Sequence, residues 1–271
     1  MKRATVNNEW HINGIGLHTG QQVNVIGKPA AAGCGIIFVV NGVEIPALAE
    51  YVDDTTRCTR IANNGVSLRT IEHLMAAIYL CGITDIYIIV DGGELPALDG
   101  AAKIWYDTLQ KAGIKFLDGE ILTVKLNNDL MSAGNSQIII AESENLELFA
   151  EITIADTQIT GMTAGGDITD ASVIENIISA RTYGLEREVR HLLDSGLAKG
   201  GSLDNAVIIT ETGYLNNDVR PNEPVWHKVL DLLGDLALTG FRLQGRITAI
   251  RSGHYSHVEM AKYLRVKYAI R

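Results

Sequence analysis

The sequence predicts an α+β protein made of two domains of similar size. Two observations predict it. Strand-like runs followed by helical runs occur once in each half of the chain. A composition of 46% hydrophobic against 20% charged residues over 271 positions is enough to bury a real core. In the first half, "QVNVIG" and "CGIIFVV" read as strands, and "CTRIANNGVSLRT" as a hairpin turning on Asn64-Gly65, a dipeptide that accepts φ > 0. "TIEHLMAAIYLCG" reads as a helix closed by Gly82, and "TDIYIIVDGG" as a buried strand. "LDGAAKIWYDTLQKAG" reads as a helix with Asp99 at its N-cap and Gly113 beyond its end. "IKFLDGE", residues 114–120, marks a boundary between domains at 1–117 and 121–271. After it the pattern restarts with strands at "ILTVKL", "SQIIIAE" and "LELFAEITI", a helix at "DASVIENIISAR" and an amphipathic segment "LEREVRHLLDSGLAKG". The strand "NAVIIT", a buried helix over 226–240, the strand "RITAIR" and a last helix from about His254 complete it. There is no residue-level repeat and no low-complexity segment.

A net charge of −9 argues against a general nucleic-acid binder, while leaving room for a local basic pocket. Three cysteines, Cys34, Cys58 and Cys81, are odd in number and lack metal-type spacing, which points to a reducing, cytoplasmic compartment. The opening "MKRATVNNEWHING" has no apolar core of a signal peptide, and no run approaches the ~18 apolar residues that span a bilayer.

The helix "WHKVLDLLGDLALTG" carries polar residues where a buried helix should not. His227, Asp231 and Asp235 recur at four-residue steps, so they form one drifting stripe, with Gly234 leaving space beside it. Imidazole and carboxylate one turn apart can share a cation, and zinc takes both ligand types. The same spacing also serves solvated salt bridges, but apolar flanks bury this one, and buried charge needs a partner or a metal. His73 in "TIEHLMAAI" is the best third ligand, with Glu72 projecting ~100° away beside it. Read alone, His73 is more simply a hydrogen-bonded core histidine and Glu72 a surface glutamate. His254, after Gly253 at a strand-to-helix turn, is either functional or an exposed loop histidine. His11, His191 and His257 have weaker contexts.

Taken together, "GIGLHTG", "TIEHLMAA", "LPALDGAA", "SARTYG", "GGSLDNAV", "HKVLDLLGDL" and "SGH" stand in one order over about residues 12–258. In that order and spacing the chain resembles the UDP-3-O-acyl-N-acetylglucosamine deacetylases, the zinc amidases that commit Gram-negative bacteria to lipid A synthesis. The resemblance implies His73, His227 and Asp231 as zinc ligands and Glu72 as general base. It implies Thr182 as a group that helps polarise the scissile carbonyl, His254 as a catalytic histidine and Asp235 as the carboxylate that orients it. Lys228 falls at the substrate site, and Arg251 where a basic residue near the diphosphate is expected. Cys58 matches a cysteine near the site, an expected free thiol whose alkylation blocks access. The implied fold has sheet and helices packed in layers in both domains, a small insert in each, and the active site between them. The second insert, about 183–203, is expected to form an apolar passage for the acyl chain, with Tyr183, Leu185, Leu192, Leu193 and Leu197 as lining or as simple packing.

The implied reaction is metal-assisted hydrolysis of the N-acetyl group of a small-molecule UDP-sugar carrying an acyl chain, giving acetate and a free amine. Zn2+ is the expected cofactor, with Fe2+ as the alternative in the cell, and the enzyme is expected to be a monomer. His254 either stabilises the developing charge or donates a proton to the leaving amine. Departures from the family pattern are a shorter chain, Tyr183 for phenylalanine, and His257 for the usual asparagine, which puts a sugar contact in doubt. His18 matches a family histidine without a derivable role. Two other readings stay open: a paralogue acting on another N-acetyl sugar, and an inactive metal-stabilised binding protein.

Overall fold

The computed structural model of the chain describes residues 1–268. Its elements, in chain order, begin with β1 Lys2–Val6, β2 Trp10–Ile15, β3 Gln22–Pro29, β4 Ile36–Val40 and β5 Val43–Pro46. A three-stranded sheet of β6 Val52–Asp54, β7 Arg60–Asn63 and β8 Val66–Arg69 follows, then α1 Glu72–Leu80, β9 Ile86–Val90 and α2 Lys103–Ala112. The chain continues through β10 Ile114–Glu120, β11 Thr123–Lys125, β12 Asp129–Ala133, β13 Ser136–Ala141, β14 Leu146–Ile152, β15 Met162–Asp167 and α3 Ala171–Ile178. A small βαβ unit comes next: β16 Thr182–Leu185, α4 Glu186–Asp194 and β17 Ala206–Ile209, the two strands parallel. Last are α5 Glu223–Ala237, β18 Arg242–Ile250 and α6 His254–Lys267.

One topology occurs twice. The first sheet runs β2-β3-β9-β4-β5, and the second β12-β13-β18-β14-β15, with β11 added parallel to β18. In each, two hairpins are laid down first and a later strand enters between them, parallel to one neighbour and antiparallel to the other. In each, a helix precedes that central strand and another follows it: α1 and α2 around β9, α5 and α6 around β18. The α+β fold of two similar halves is therefore as expected, and the hairpin on Asn64-Gly65 is a two-residue turn with φ of 48° and 79°.

Two local expectations fail, and the expected boundary segment is itself a strand. Residues 114–120 form β10, paired antiparallel with β1, because an edge strand with few buried side chains shows no apolar run to read. Asp99 is not the N-cap of α2; it accepts the Ala101 N–H in a turn, and the helix starts four residues later at Lys103. The helix α5 starts at Glu223, not 226, with Pro224 in its first turn, where the missing N–H costs nothing.

The core is where the two halves meet. In α1, Glu72 through Tyr79 are all buried, so the helix has no polar face. It packs on α5, which is buried at Val229, Leu230, Leu232, Leu233 and Leu236. Gly234 makes the crossing possible: a Cβ there would lie 2.0 Å from the Glu72 carbonyl oxygen. Close contact at that point aligns the start of α1 with the middle of α5.

Candidate active site

Three side chains converge at the α1–α5 crossing. His73 comes from the first turn of α1, and His227 and Asp231 from one face of α5. All three are buried, and one ligand-type atom from each lies within 4.8 Å of the others. Asp231 Oδ1 is 3.4 Å from His227 Nε2 and 3.9 Å from His73 Nε2. The two imidazoles meet edge to face, centroids 4.9 Å apart. His227 Nδ1–H donates to the Ala180 carbonyl at 3.0 Å, which fixes the tautomer and leaves Nε2 as a lone pair facing the cluster. Burial, with His227 next to it, pulls the His73 pKa down to about 3, so its ring is neutral. Burial lowers His227 as well. For Asp231, burial opposes ionisation, but His227, Lys228, His254 and His73 outweigh it and hold the carboxyl well below the usual range. Asp231 Oδ2 accepts from Lys228 Nζ at 2.7 Å, while Oδ1 is buried without a hydrogen-bond partner among the described residues. An orphaned carboxylate oxygen between two imidazole lone pairs is costly unless a cation completes it. The donor set fits a divalent metal ion.

Glu72 and His254 flank this cluster. Thr59 N–H donates to Glu72 Oε2 at 3.0 Å, and Oε1 lies 4.0 Å from His254 Nε2. Burial pushes Glu72 up to about 7, with His254 opposing and Asp235 and Asp231 adding to the rise. His254 Nε2 is also 4.0 Å from Asp231 Oδ2, and Nδ1–H donates to Asp235 Oδ2 at 2.9 Å. Burial disfavours its charge, but Asp235 and Asp231 outweigh burial and raise it to about 9. At neutral pH it is an imidazolium with Nε2–H turned toward the metal-ligand cluster. Asp235, His254 and His257 also lie close enough to hold an ion. There the contacts of Asp235 Oδ2 with both rings are hydrogen bonds at 2.9 Å, so the cluster is satisfied as it stands.

The cluster opens into a cavity of about 820 Å³. Its walls include Glu72, His73, Thr182, Tyr183, Leu192, Leu193, His227, Lys228, Asp231 and His254, all expected from sequence. Thr182 and Tyr183 are set by the preceding Arg181, which donates through Nε to Glu223 Oε1 at 2.8 Å and so ties β16 to the start of α5. The rest of the wall is largely apolar: Leu17, Val189, Leu203, Ile208 and Leu215 join Leu192 and Leu193, with Arg57, Glu186 and Arg190 also on it.

Five expected residues are not on that wall, among them Leu185, half-buried at the end of β16. Asp235 is buried behind His254. Leu197 is half-buried, beyond the end of α4. Arg251 is exposed, with φ 49°, at the turn after β18. Cys58 is buried, and burial followed by Glu72 raises its thiol to about 12, so it is neither accessible nor ionised.

Sequence reasoning missed Thr59, and it named His18 and His257 without giving either a role at the site. Thr59 is wholly buried and serves both halves, its N–H on Glu72 and its hydroxyl on Asp235 Oδ1 at 2.5 Å. Its only signal was its place beside Cys58. His18, in the "GIGLHTG" loop, lines the cavity and has both ring nitrogens buried without partners among the described residues. The loop is held by Glu94, whose carboxylate accepts the His18 and Thr19 N–H groups at 2.8 Å.

Comparison with known proteins agrees with this geometry. The family model described as UDP-3-O-acyl N-acetylglycosamine deacetylase matches residues 3–265. A UDP-3-O-acyl-N-acetylglucosamine deacetylase of Leptospira biflexa is 34% identical over 96% of this chain and 88% of its own length. Those of Nautilia profundicola and Syntrophotalea carbinolica are 37% and 38% identical, over 97% and 96% of this chain and 92% and 86% of their own lengths. With the metal-type cluster, the flanking acid and imidazolium and the apolar cavity in one place, and a match along nearly the whole sequence, the chain belongs to the UDP-3-O-acyl N-acetylglycosamine deacetylase family.

Proposed function

We propose that this protein hydrolyses the N-acetyl group of UDP-3-O-(3-hydroxyacyl)-N-acetylglucosamine, releasing acetate and the free amine, and so serves the committed step of lipid A biosynthesis. One observation carries the reading: a buried two-histidine, one-aspartate cluster with an unpartnered carboxylate oxygen opens directly into a cavity of about 820 Å³ with a largely apolar wall. His73, His227 and Asp231 would hold the ion, which we assign as zinc. When bound, zinc supplies Lewis-acid polarisation of the acetamide carbonyl and a more acidic water.

The chain's own residues do the rest. Glu72, pinned through Oε2, takes the proton from the attacking water and can pass it on to the leaving nitrogen. His254 presents Nε2–H to negative charge developing on the carbonyl oxygen, with Asp235 fixing its ring through Nδ1. Thr182 lies on the same wall to help hold that oxygen. Lys228, bonded to Asp231, keeps positive charge at the sugar end of the cavity. Leu192 and Leu193 line the path for the acyl chain. Domains at 1–117 and 121–271 each supply one helix to the crossing.

A metal serving only structure needs neither Glu72 nor His254 beside it, so the active enzyme is favoured over an inert binding protein. Among the described residues no helix is long and apolar enough to cross a membrane. The test is acetate release by the zinc-loaded protein from acylated and non-acylated UDP-N-acetylglucosamine. Release from the acylated sugar, with at least a hundred-fold preference, is expected; equal rates on both would favour another N-acetyl sugar as the substrate.

A further inference from the structure

Asp235 is wholly buried and accepts three hydrogen bonds. Oδ1 takes the Thr59 hydroxyl at 2.5 Å. Oδ2 takes two imidazole N–H groups, from Nδ1 of His254 and Nδ1 of His257, each at 2.9 Å. His254 and His257 are three residues apart in the first turn of α6, so a single helical face delivers both rings to one oxygen.

His257 is 0% exposed and is not on the cavity wall, so it cannot touch a sugar in the cavity. Its other nitrogen, Nε2, accepts from Ser252 Oγ at 2.8 Å. With a carboxylate on one side and a hydroxyl donor on the other, the ring is fixed as the neutral Nδ1–H tautomer. Ser252 belongs to the same turn, and Gly253 closes it by donating its N–H to Ser256 Oγ at 3.1 Å. A wholly buried imidazole is retained at a cost that only satisfied hydrogen bonds offset. Both of its bonds go to groups that frame His254.

We propose that His257 is a positioning residue for the deacetylation: its Nδ1–H, with the Thr59 hydroxyl, locks the Asp235 carboxylate in the one orientation that aims His254 at the reacting carbonyl. A carboxylate bonded to His254 alone can rotate about its Cβ–Cγ bond and carry the ring with it. Donors on both oxygens remove that freedom. The inference rests on the deacetylase reading for its kinetic consequence, but not for its structural one.

The test compares His257→Asn with His257→Gln in the zinc-loaded, full-length protein. Asparagine places an N–H where Nδ1 stands and loses the Ser252 contact. Glutamine places its amide near Nε2 and loses the donor to Asp235. Both keep a polar group in the buried site, so both can fold. Partners beyond the groups that act directly are worth about 10–100-fold. His257→Gln should therefore lose about 10-fold in kcat with KM unchanged, and His257→Asn should stay near wild type. Adding Asp235→Ala to His257→Gln should cost no more than Asp235→Ala alone. Imidazole 15N spectra give a readout free of turnover. His254 should show a single fixed Nδ1–H environment in wild type and His257→Asn, and an averaged one in His257→Gln. Equal losses in both variants, a loss confined to KM, or an unchanged His254 spectrum in His257→Gln each overturn the proposal. A wild-type protein that releases no acetate but shows the spectral contrast would overturn the substrate reading and leave the positioning role standing.

Discussion

Replacing Gly234 with alanine is the sharpest perturbation the fold offers. The added Cβ would lie 2.0 Å from the Glu72 carbonyl oxygen, 2.8 Å from its carbonyl carbon and 3.0 Å from its Cα. Even a close C–H···O contact sits near ~3.3 Å, so the two backbones must part by roughly 1.3 Å. The obstacle is helix backbone on both sides, so no rotamer change relieves it. Overpacking of this kind costs about 1–3 kcal/mol. At roughly 2–4 °C per kcal/mol for a chain of this size, the melting temperature should fall by about 2–12 °C. The loss of function should be larger than that suggests. The contact lies at Glu72, next to His73 on α1, and beside Asp235 on α5, so parting the helices separates His73 from His227 and Asp231. A misplacement near 1 Å costs about 100-fold in rate. The assay is a thermal melt, a zinc determination and acetate release on the same preparation. Weaker zinc retention and ~100-fold slower turnover at a temperature where the variant is still folded are expected. A Gly234→Ala protein with wild-type melting, zinc content and rate would refute the claim that this glycine sets the crossing.

Other outcomes follow from the same geometry. Asp231→Ala should abolish zinc retention, while Asp235→Ala should keep about one equivalent and lose roughly 10²–10⁴ in kcat; equal metal loss in both would erase the distinction between ligand and orienting carboxylate. Glu72 works ionised, above its pKa of about 7, and His254 works protonated, below about 9, so kcat/KM should be bell-shaped between those limits. A bound cation favours the carboxylate and moves the acid limb lower, and Asp235→Ala, by removing a negative charge from His254, should move the alkaline limb lower; an alkaline limb unmoved by that change would detach it from His254. Thr59→Val should keep zinc, because the backbone N–H on Glu72 survives, and slow turnover by about 10-fold through loss of the hydroxyl on Asp235; an unchanged kcat would make that bond incidental. Tryptophan at Leu192 or Leu193, on the cavity wall, should shorten the preferred acyl chain, while Leu197→Trp should not; a chain-length series distinguishes them.

How much of this was legible in the sequence depends on the kind of signal. His227, Asp231 and Asp235 stood out because helical periodicity and burial are written locally: polar groups at i, i+4 in an apolar helix conflict with it unless they have work to do. The hairpin at Asn64-Gly65 was legible for the same reason, since its backbone demand shows in two adjacent residues. Thr59 and His257 left no such mark. Their roles come from partners 176 and 22 residues away, and a buried threonine or histidine reads like any other until the fold brings Asp235 to it. Cys58 shows the reverse error. The family match near the site suggested a free thiol whose alkylation blocks access, but the chain passes beneath the site and buries it. Asp99 misled as a cap because residues 99–102 take a turn first, which propensity alone does not encode.

The duplicated topology explains why the chemistry sits where it does. In both halves a helix precedes the late central strand, and the two such helices, α1 and α5, pack on each other with Gly234 at the contact. A site at that crossing draws ligands from both copies: His73 from one, His227 and Asp231 from the other. Neither half supplies all of His73, His227 and Asp231, so that cluster is complete only when both are folded and docked. Buried charges are costly when unpaired, and here their partners lie across the contact: His73 opposite Asp231, Glu72 opposite His254, Thr59 on Asp235. Separating the halves would take from each of these groups its partner across the contact, while Asp231 keeps Lys228 and Asp235 keeps His254 and His257. Metal binding and docking should therefore be linked, with the ion stabilising the docked form by an amount that grows with its free concentration.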